Sequence, residues 1–206
     1  MNPRIQLFKA LEADPIEAAR LLVGCELSTD EMTAKIVETE AYRTPDDPAC
    51  HAHRGFTPRC RSMFGDPGQA YVYFTYGNHW MLNGVAFPAG RAGAVLIRAA
   101  KPITGLEIMR FRRPKISNDR DLLSGPGKLT QTFGIDGTFD GLRLFEPNSP
   151  LRISVRKPTQ EILVGGRIGI AEGKGDDLPW RFCDALEMEF VSKPQRNLAR
   201  LENRDR

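Results

Sequence analysis

Two runs near the middle of the chain leave the fold little freedom. Ala70–Thr75 (AYVYFT) is built from β-branched and aromatic residues with no breaker. His79–Val85 (HWMLNGV) returns after Gly77-Asn78, a turn-forming pair. Together they predict an antiparallel hairpin, with Tyr76 beside the turn and its ring projecting from the tip. Upstream, Thr33–Thr39 reads as a strand whose end, within Ile36–Tyr42 (IVETEAY), delivers Glu40 and Tyr42 into a long loop. That loop, residues 43–68, is rich in Pro, Gly and charge, with one helical turn expected around Asp46–His51. Loops of this length inside a compact domain are usually functional.

The rest of the chain reads as a mixture. Asp14-Pro15-Ile16-Glu17 carries a helix start, with a capping Asp, Pro in the first turn and Glu three residues on. The helix continues through Ala18–Val23 and stops at Gly24. Cys25–Thr29, Ala94–Arg98, Leu151–Val155, Arg167–Ala171 and Glu189–Ser192 predict further strands. Thr104–Glu107 forms a capping box opening a helix to Arg113, and Gly125-Pro126-Gly127 precedes a short helix, Lys128–Phe133, closed by Gly134. Lys193–Arg206 is polar and is expected to fray. With 206 residues, 41% of them hydrophobic, there is material for one full core. The expected fold class is α+β: a single mixed domain over residues 1–206, with a curved, mostly antiparallel sheet, flanking helices and a protruding hairpin.

Composition narrows the setting. No segment approaches the roughly 20 consecutive apolar residues of a membrane-spanning helix. The N-terminus lacks the apolar core of a secretory signal, and Cys25, Cys50, Cys60 and Cys183 have no paired spacing. Reduced thiols, a cytoplasmic location and a monomer are the expectations. Charge is uneven: residues 1–47 hold 5 Lys/Arg against 10 Asp/Glu, residues 48–128 hold 12 against 4, and residues 129–206 hold 12 against 12. The basic middle coincides with the hairpin and long loop, as expected if phosphates approach there.

Several residues carry chemistry. Glu38 and Glu40 share strand parity, which admits an acid/base pair, a metal site or two solvated carboxylates. Tyr42 beside Glu40 favours a partly buried carboxylate able to activate water. Cys50-His51-Ala52-His53 with Cys60 invites zinc, but neither paired Cys-x-x-Cys knuckles nor the deaminase elements occur; no metal or other cofactor is expected. His51 is better suited as a neutral donor or stacking ring. Tyr71 reads as packing, whereas Tyr76 at a loop tip suits wedging between base pairs. Gly125–Thr130 fails the nucleotide-binding loop pattern, leaving Lys128 as a grip for one backbone phosphate. An acid/base group beside ring faces and a tyrosine-tipped hairpin is what base-extrusion chemistry needs.

These pieces together resemble the alkyladenine (3-methyladenine) DNA glycosylase family, the methylpurine glycosylases. The resemblance rests on IVETEAY at 36–42, D-x-A-x-H at 47–51, TPR at 57–59, MFG-x-PG at 63–68, YVYFTYGNHWMLN at 71–83, VLIRA at 95–99 and GPGKLTQ at 125–131. RIGI at 167–170 and PWRF at 179–182 match more weakly, and the similarity covers roughly residues 10–192 in order. It implies a monofunctional enzyme that flips 3-methyladenine, 7-methylguanine, hypoxanthine or ethenoadenine out of duplex DNA and hydrolyses the N-glycosidic bond, starting base excision repair. Glu40 then matches the general base, Arg98 the arginine that helps hold the water, and Ile168 a main-chain carbonyl on that water. Tyr42, His51 and Tyr73 match the walls around the flipped base, Asn83 the pocket floor, and Tyr76 the inserted residue. Arg59 and Lys128 are expected on the DNA backbone. Damaged double-stranded DNA is the implied partner, with downstream base-excision-repair enzymes as further ones.

The chain departs from the family pattern at Arg43-Thr44, usually Leu-Gly, and at Asn78, usually Met. Arg43 there has room to reshape the loop or add a phosphate contact, and Cys50 and Cys60 are candidates for oxidation. Three other readings stay open at this point: a metal-dependent hydrolase using Glu38, Glu40, His51 and His53; a non-catalytic nucleic-acid binder; and a glycosylase/lyase with Lys128 as nucleophile.

Overall fold

A computed structural model describes residues 2–157, 159–195 and 197–200. The chain opens with a helix the sequence pattern did not reveal, α1 (Pro3–Ala13). The Asn2 side chain accepts the Arg4 N–H and Pro3 sits in the first turn. Asp14 closes α1 through its own amide and opens α2 (Pro15–Leu22) by accepting the Ile16 N–H. Strands β1 (Glu26–Ser28) and β2 (Thr33–Arg43) follow, then the long loop, which runs through turns and a 3-10 segment at Pro58–Phe64. β3 (Ala70–Thr75) and β4 (His79–Val85) form the hairpin within the expected bounds. β5 (Gly93–Thr104), α3 (Leu106–Arg112) and α4 (Pro126–Phe133) come next. β6 (Arg152–Ser154), β7 (Ile162–Gly165), β8 (Arg181–Asp184) and β9 (Leu198–Arg200) complete the described elements.

The sheet runs β3-β4-β5-β2-β8-β7-β9, with β1 joining β2 to β6, and every pairing among the described residues is antiparallel. The α+β expectation is met. One face of β2 and β5 packs on α2, where Thr39 Oγ1 donates to the Ala19 carbonyl at 2.8 Å. Leu7, Leu11, Ala18, Leu22, Ile36, Val95 and Ile97 belong to the buried core on that side. Full burial of each large apolar side chain contributes about 1.5–3 kcal/mol.

A local irregularity decides what the other face carries. In the β2–β5 ladder, Val37 and Arg98 lack Cα partners, so each is a one-residue bulge, and the two offsets cancel. A bulge re-aims the side chains that follow it. Ile36 therefore stays with the main core, while Glu38 and Glu40 face away from Thr39 and α2. Arg98, on its own bulge, meets both carboxylates there.

Four local expectations are corrected. Residues 167–171 form a turn with Gly169 at φ +78°, not a strand. Met188–Phe190 is a 3-10 turn, where a strand through Ser192 was expected. The N-cap of α3 is Gly105, in the left-handed region with no side-chain cap, so Thr104 does not form the capping box. Leu198–Arg200, inside the expected frayed tail, pairs with β7; residues 201–206 lie outside the described residues.

Candidate active site

Alternation along the hairpin sets the wall of a cavity. Tyr71 pairs with Asn83 and Tyr73 with Met81, so all four side chains share one face, and β5 adds Leu96 opposite Asn83. These residues line a cavity of about 510 Å³ together with Tyr42, His51, Met63, Tyr76, Arg98 and the Ile168–Ala171 turn. A recess of about 650 Å³ beside the start of α1 and β6, lined by Arg4, Glu146, Arg152 and Arg156, contains none of the expected site residues.

Glu40 lies just behind the cavity wall, fully buried, with its carboxylate fixed by three donors from residues that line the cavity. The Ile168 N–H donates to Oε1 at 2.6 Å, while Tyr42 OH at 2.9 Å and Arg98 Nη1 at 3.1 Å donate to Oε2. Ile168 thus meets Glu40 through its amide, a contact separate from the main-chain carbonyl expected to face the water. Burial, then the Glu40 charge, pushes the Tyr42 phenol well above its ordinary value, so it stays a donor. Burial pulls the Arg98 guanidinium down, but the Glu40 and Glu38 charges outweigh it and keep Arg98 charged.

Glu38 is neither solvated nor exposed to the cavity. Arg98 Nε (3.1 Å), Arg181 Nε (2.7 Å) and Ser192 Oγ (2.9 Å) donate to its Oε1, and the Ser192 N–H (2.8 Å) donates to Oε2. Arg98 therefore bridges two buried carboxylates, and Arg181 completes the charge balance. Carboxylates wrapped by guanidinium and N–H donors offer a poor ligand set for a divalent cation, which needs their oxygens free. Among the described residues, no three His, Cys, Asp or Glu side chains converge as metal ligands. His51 instead pairs its Nδ1 with Tyr71 OH at 2.9 Å and stands edge-on to Tyr73, ring centroids 4.5 Å apart. Burial, then the Arg59 charge, lowers its pKa from 6.5 and favours the neutral ring. The Tyr73 phenol is pushed up to about 12, by burial first and then by Glu40. Tyr71 is buried as packing predicts, yet its hydroxyl also orients His51. Asn83 donates through Nδ2 to the Tyr71 carbonyl at 3.0 Å, which fixes its amide in the cavity wall.

The hairpin tip is strained. Tyr76 is 83% exposed with φ +52°, Gly77 has φ +70°, and the Asn78 N–H closes the turn on the Thr75 carbonyl. The two central turn residues are thus Tyr76 and Gly77, one position earlier than expected. The left-handed region costs a non-glycine residue about 1–2 kcal/mol. An exposed aromatic held there is an outlier of the kind that clusters at functional sites.

The two expected phosphate contacts differ. Arg59 is exposed, lies 6.0 Å over the Tyr73 ring and reaches the Phe74 carbonyl at 3.4 Å, bracing the loop against the hairpin. Lys128 lies 3.1 Å from Ser124 Oγ and 3.5 Å from Asp121, and is not among the cavity-lining residues. Arg43 is committed to Asp46 through two hydrogen bonds of 3.1 and 2.7 Å and to the Trp180 ring. Cys50 and Cys60 are buried, and burial pushes the Cys50 thiol up to about 12, which makes it a poor target for oxidation.

Sequence reasoning missed the buried pair Arg167–Asp47 and the Glu38–Arg181–Ser192 cluster. The first lay within matched segments, RIGI and D-x-A-x-H, without an assigned role.

The methylpurine-DNA glycosylase family matches residues 9–187. A Burkholderia lata protein provisionally named as a 3-methyladenine DNA glycosylase is 47% identical over 167 residues, 80% of each chain. Relatives with the same provisional name come from Nitrosospira multiformis, 43% identical over 89% of this chain and 92% of its own, and Agrobacterium fabrum, 45% identical over 88% and 89%. With its hairpin, cavity and buried carboxylate inside the matched span, the chain belongs to the methylpurine-DNA glycosylase family, hydrolases of N-glycosyl bonds.

Proposed function

We propose that this chain removes alkylated or deaminated purines, of the 3-methyladenine, 7-methylguanine, hypoxanthine and ethenoadenine class, from duplex DNA by flipping the nucleotide and activating water with Glu40. The observation that carries the reading is the Glu40 carboxylate, buried and held by Tyr42, Arg98 and the Ile168 amide, all three of which line the ring-walled cavity. Oε2 accepts two hydrogen bonds and Oε1 one, so the proton from water is assigned to Oε1, the less occupied oxygen. Tyr42 stacks on one face of the flipped base, and His51 with Tyr73 forms the other wall. Asn83 at the floor disfavours the exocyclic amino group of normal guanine.

Tyr76 fills the gap in the duplex, and unstacking a base step costs a few kcal/mol. Alkylation at N3 or N7 makes the purine a cationic leaving group, so water activation and a carboxylate beside the oxocarbenium-like sugar suffice for 3-methyladenine and 7-methylguanine. The neutral hypoxanthine and ethenoadenine take up a proton from solvent on the ring as they leave; no covalent nucleophile is needed. Arg59 and Lys128 contact backbone phosphates. For Lys128 that means leaving an exposed partner, Asp121, at a cost of about 0–1 kcal/mol. The lyase reading is disfavoured because Lys128 is 41% exposed beside Asp121 and Ser124, without the desolvation that activates a nucleophilic lysine.

The test is incubation with duplexes carrying 7-methylguanine or hypoxanthine. The expected products are the free base and an intact strand with an abasic site, formed at equal rates with and without a chelator. A borohydride-trapped protein–DNA adduct, or loss of excision on chelation, contradicts the reading.

A further inference from the structure

Behind the cavity wall, the Arg167 side chain is completely buried. Its guanidinium grips Asp47 with two bonds of 2.6 and 2.8 Å, and both side chains have 0% exposure. It also donates to the carbonyls of Ala41 (3.0 Å) and Gly175 (3.2 Å). Its carbon centre lies 4.6 Å from the Tyr42 ring and 5.1 Å from the Trp180 ring. Arg43 lies 4.9 Å from the same Trp180 ring. Arg43, Trp180, Arg167 and Tyr42 therefore form an alternating column of cations and rings, leading from the surface to the cavity wall.

Trp180 is already joined to β2, its carbonyl accepting the Ala41 N–H at 2.9 Å beside the β2–β8 ladder. The column adds the Asp47 loop and the Arg167–Ile168 turn, which no ladder among the described residues pairs with β2. Ala41 sits between Glu40 and Tyr42 on β2. Asp47 begins the loop carrying His51, and its Oδ1 also accepts the Ala49 N–H at 3.0 Å. Ile168, the next residue after Arg167, supplies the N–H on Glu40. A buried ion pair is weak evidence for stability, since apolar residues of like volume do as well or better. What a bidentate, doubly stacked guanidinium adds is angular definition, because its planar fork and flat faces fix several neighbours at once.

We propose that Arg167, clamped by Asp47, is a positioning residue for excision: it sets the Tyr42 ring and the Ile168 N–H against Glu40. The inference rests on the reading of Glu40 as the water-activating group. It also explains Arg43, the departure from the family pattern, as the outer layer of the column and not a phosphate contact.

The experiment compares the full-length protein with Asp47→Asn/Arg167→Gln, which removes both buried charges together, and with Arg167→Lys, which keeps the charge but not the flat fork. Glu40→Gln is the control. Affinity for an ethenoadenine duplex and single-turnover excision are measured on each, with thermal melting to establish folding. A displacement of about 1 Å at a reacting group costs about 100-fold in rate. The expected result is excision about 100-fold slower in both clamp variants, with duplex affinity within a few-fold of wild type. Wild-type excision in either folded variant overturns the proposal, as does a parallel fall of affinity and excision. If the double variant does not melt cooperatively, the Arg167→Lys result decides alone. Should Glu40→Gln excise normally, the reading of Glu40 fails first, and that outcome is distinct from wild-type excision in the clamp variants alone.

Discussion

Glu38→Gln is the substitution with the largest stability effect expected at this site. Glu38 accepts four hydrogen bonds, two of them from the buried guanidinium groups of Arg98 and Arg181. Arg98 keeps Glu40 when Glu38 is neutralised. Arg181, 1% exposed, keeps only main-chain partners, the carbonyls of Ser192 and Pro194. Removing one member of a buried pair in this way costs about 3–5 kcal/mol. For a domain of this size each kcal/mol moves Tm by about 2–4 °C, so a fall of roughly 6–20 °C is expected. Thermal and urea unfolding measure it. Adding Arg181→Met to Glu38→Gln removes the stranded charge and is expected to recover part of the loss, giving a positive coupling between the two sites. A loss below about 1 kcal/mol for Glu38→Gln, the range of an exposed pair, refutes the reasoning.

Tyr76→Gly relieves the left-handed conformation at the hairpin tip and is expected to raise stability by about 1–2 kcal/mol. The same change slows base flipping, read by ethenoadenine fluorescence, most in stably paired lesions; an unchanged flipping signal removes the wedge role. His51 has a folded-state pKa below its ordinary 6.5, so its contribution to stability is full above that pH and is lost as pH falls through the depressed value. His51→Gln is therefore expected to flatten the decline in stability between about pH 7 and pH 5, and unchanged pH dependence contradicts it. Gly93→Ala places a Cβ against the Ala86 carbonyl, 2.7 Å from Pro15 Cγ and 2.9 Å from Phe87 Cδ2, so overpacking is expected to cost about 1–3 kcal/mol or more in urea unfolding. No loss there means that β5 and α2 meet less tightly than described.

The hairpin was legible because Ala70–Thr75 and His79–Val85 state their conformation locally, in aromatic and β-branched residues around a glycine. Asp14 was legible as a cap for the same reason. α1 was not, because PRIQLFKALEA carries no clear apolar stripe; the Asn2-Pro3 start was the signal available. β8 reads as polar, with Arg181 and Asp184 at its ends, and its burial depends on Glu38, which lies far away in sequence. Arg167–Ala171 alternates like a strand, yet Gly169 turns it so that the Ile168 amide reaches Glu40. Motif and resemblance pointed to Tyr42, Arg98, His51, Tyr73 and Asn83, which line one cavity, and to Glu40, which is bonded to two of them. The paired bulges at Val37 and Arg98 were not, because nothing local marks them: each exists only against the other strand. The Arg167–Asp47 clamp escaped likewise, since its partners are 120 residues apart.

The central claim is that Glu40 activates the attacking water. Single-turnover excision by Glu40→Gln, measured beside affinity for the same lesion duplex, tests it most directly. General-base removal is expected to slow excision by about 10²–10⁴-fold while duplex binding stays near wild type. Excision at close to the wild-type rate in that variant contradicts the account.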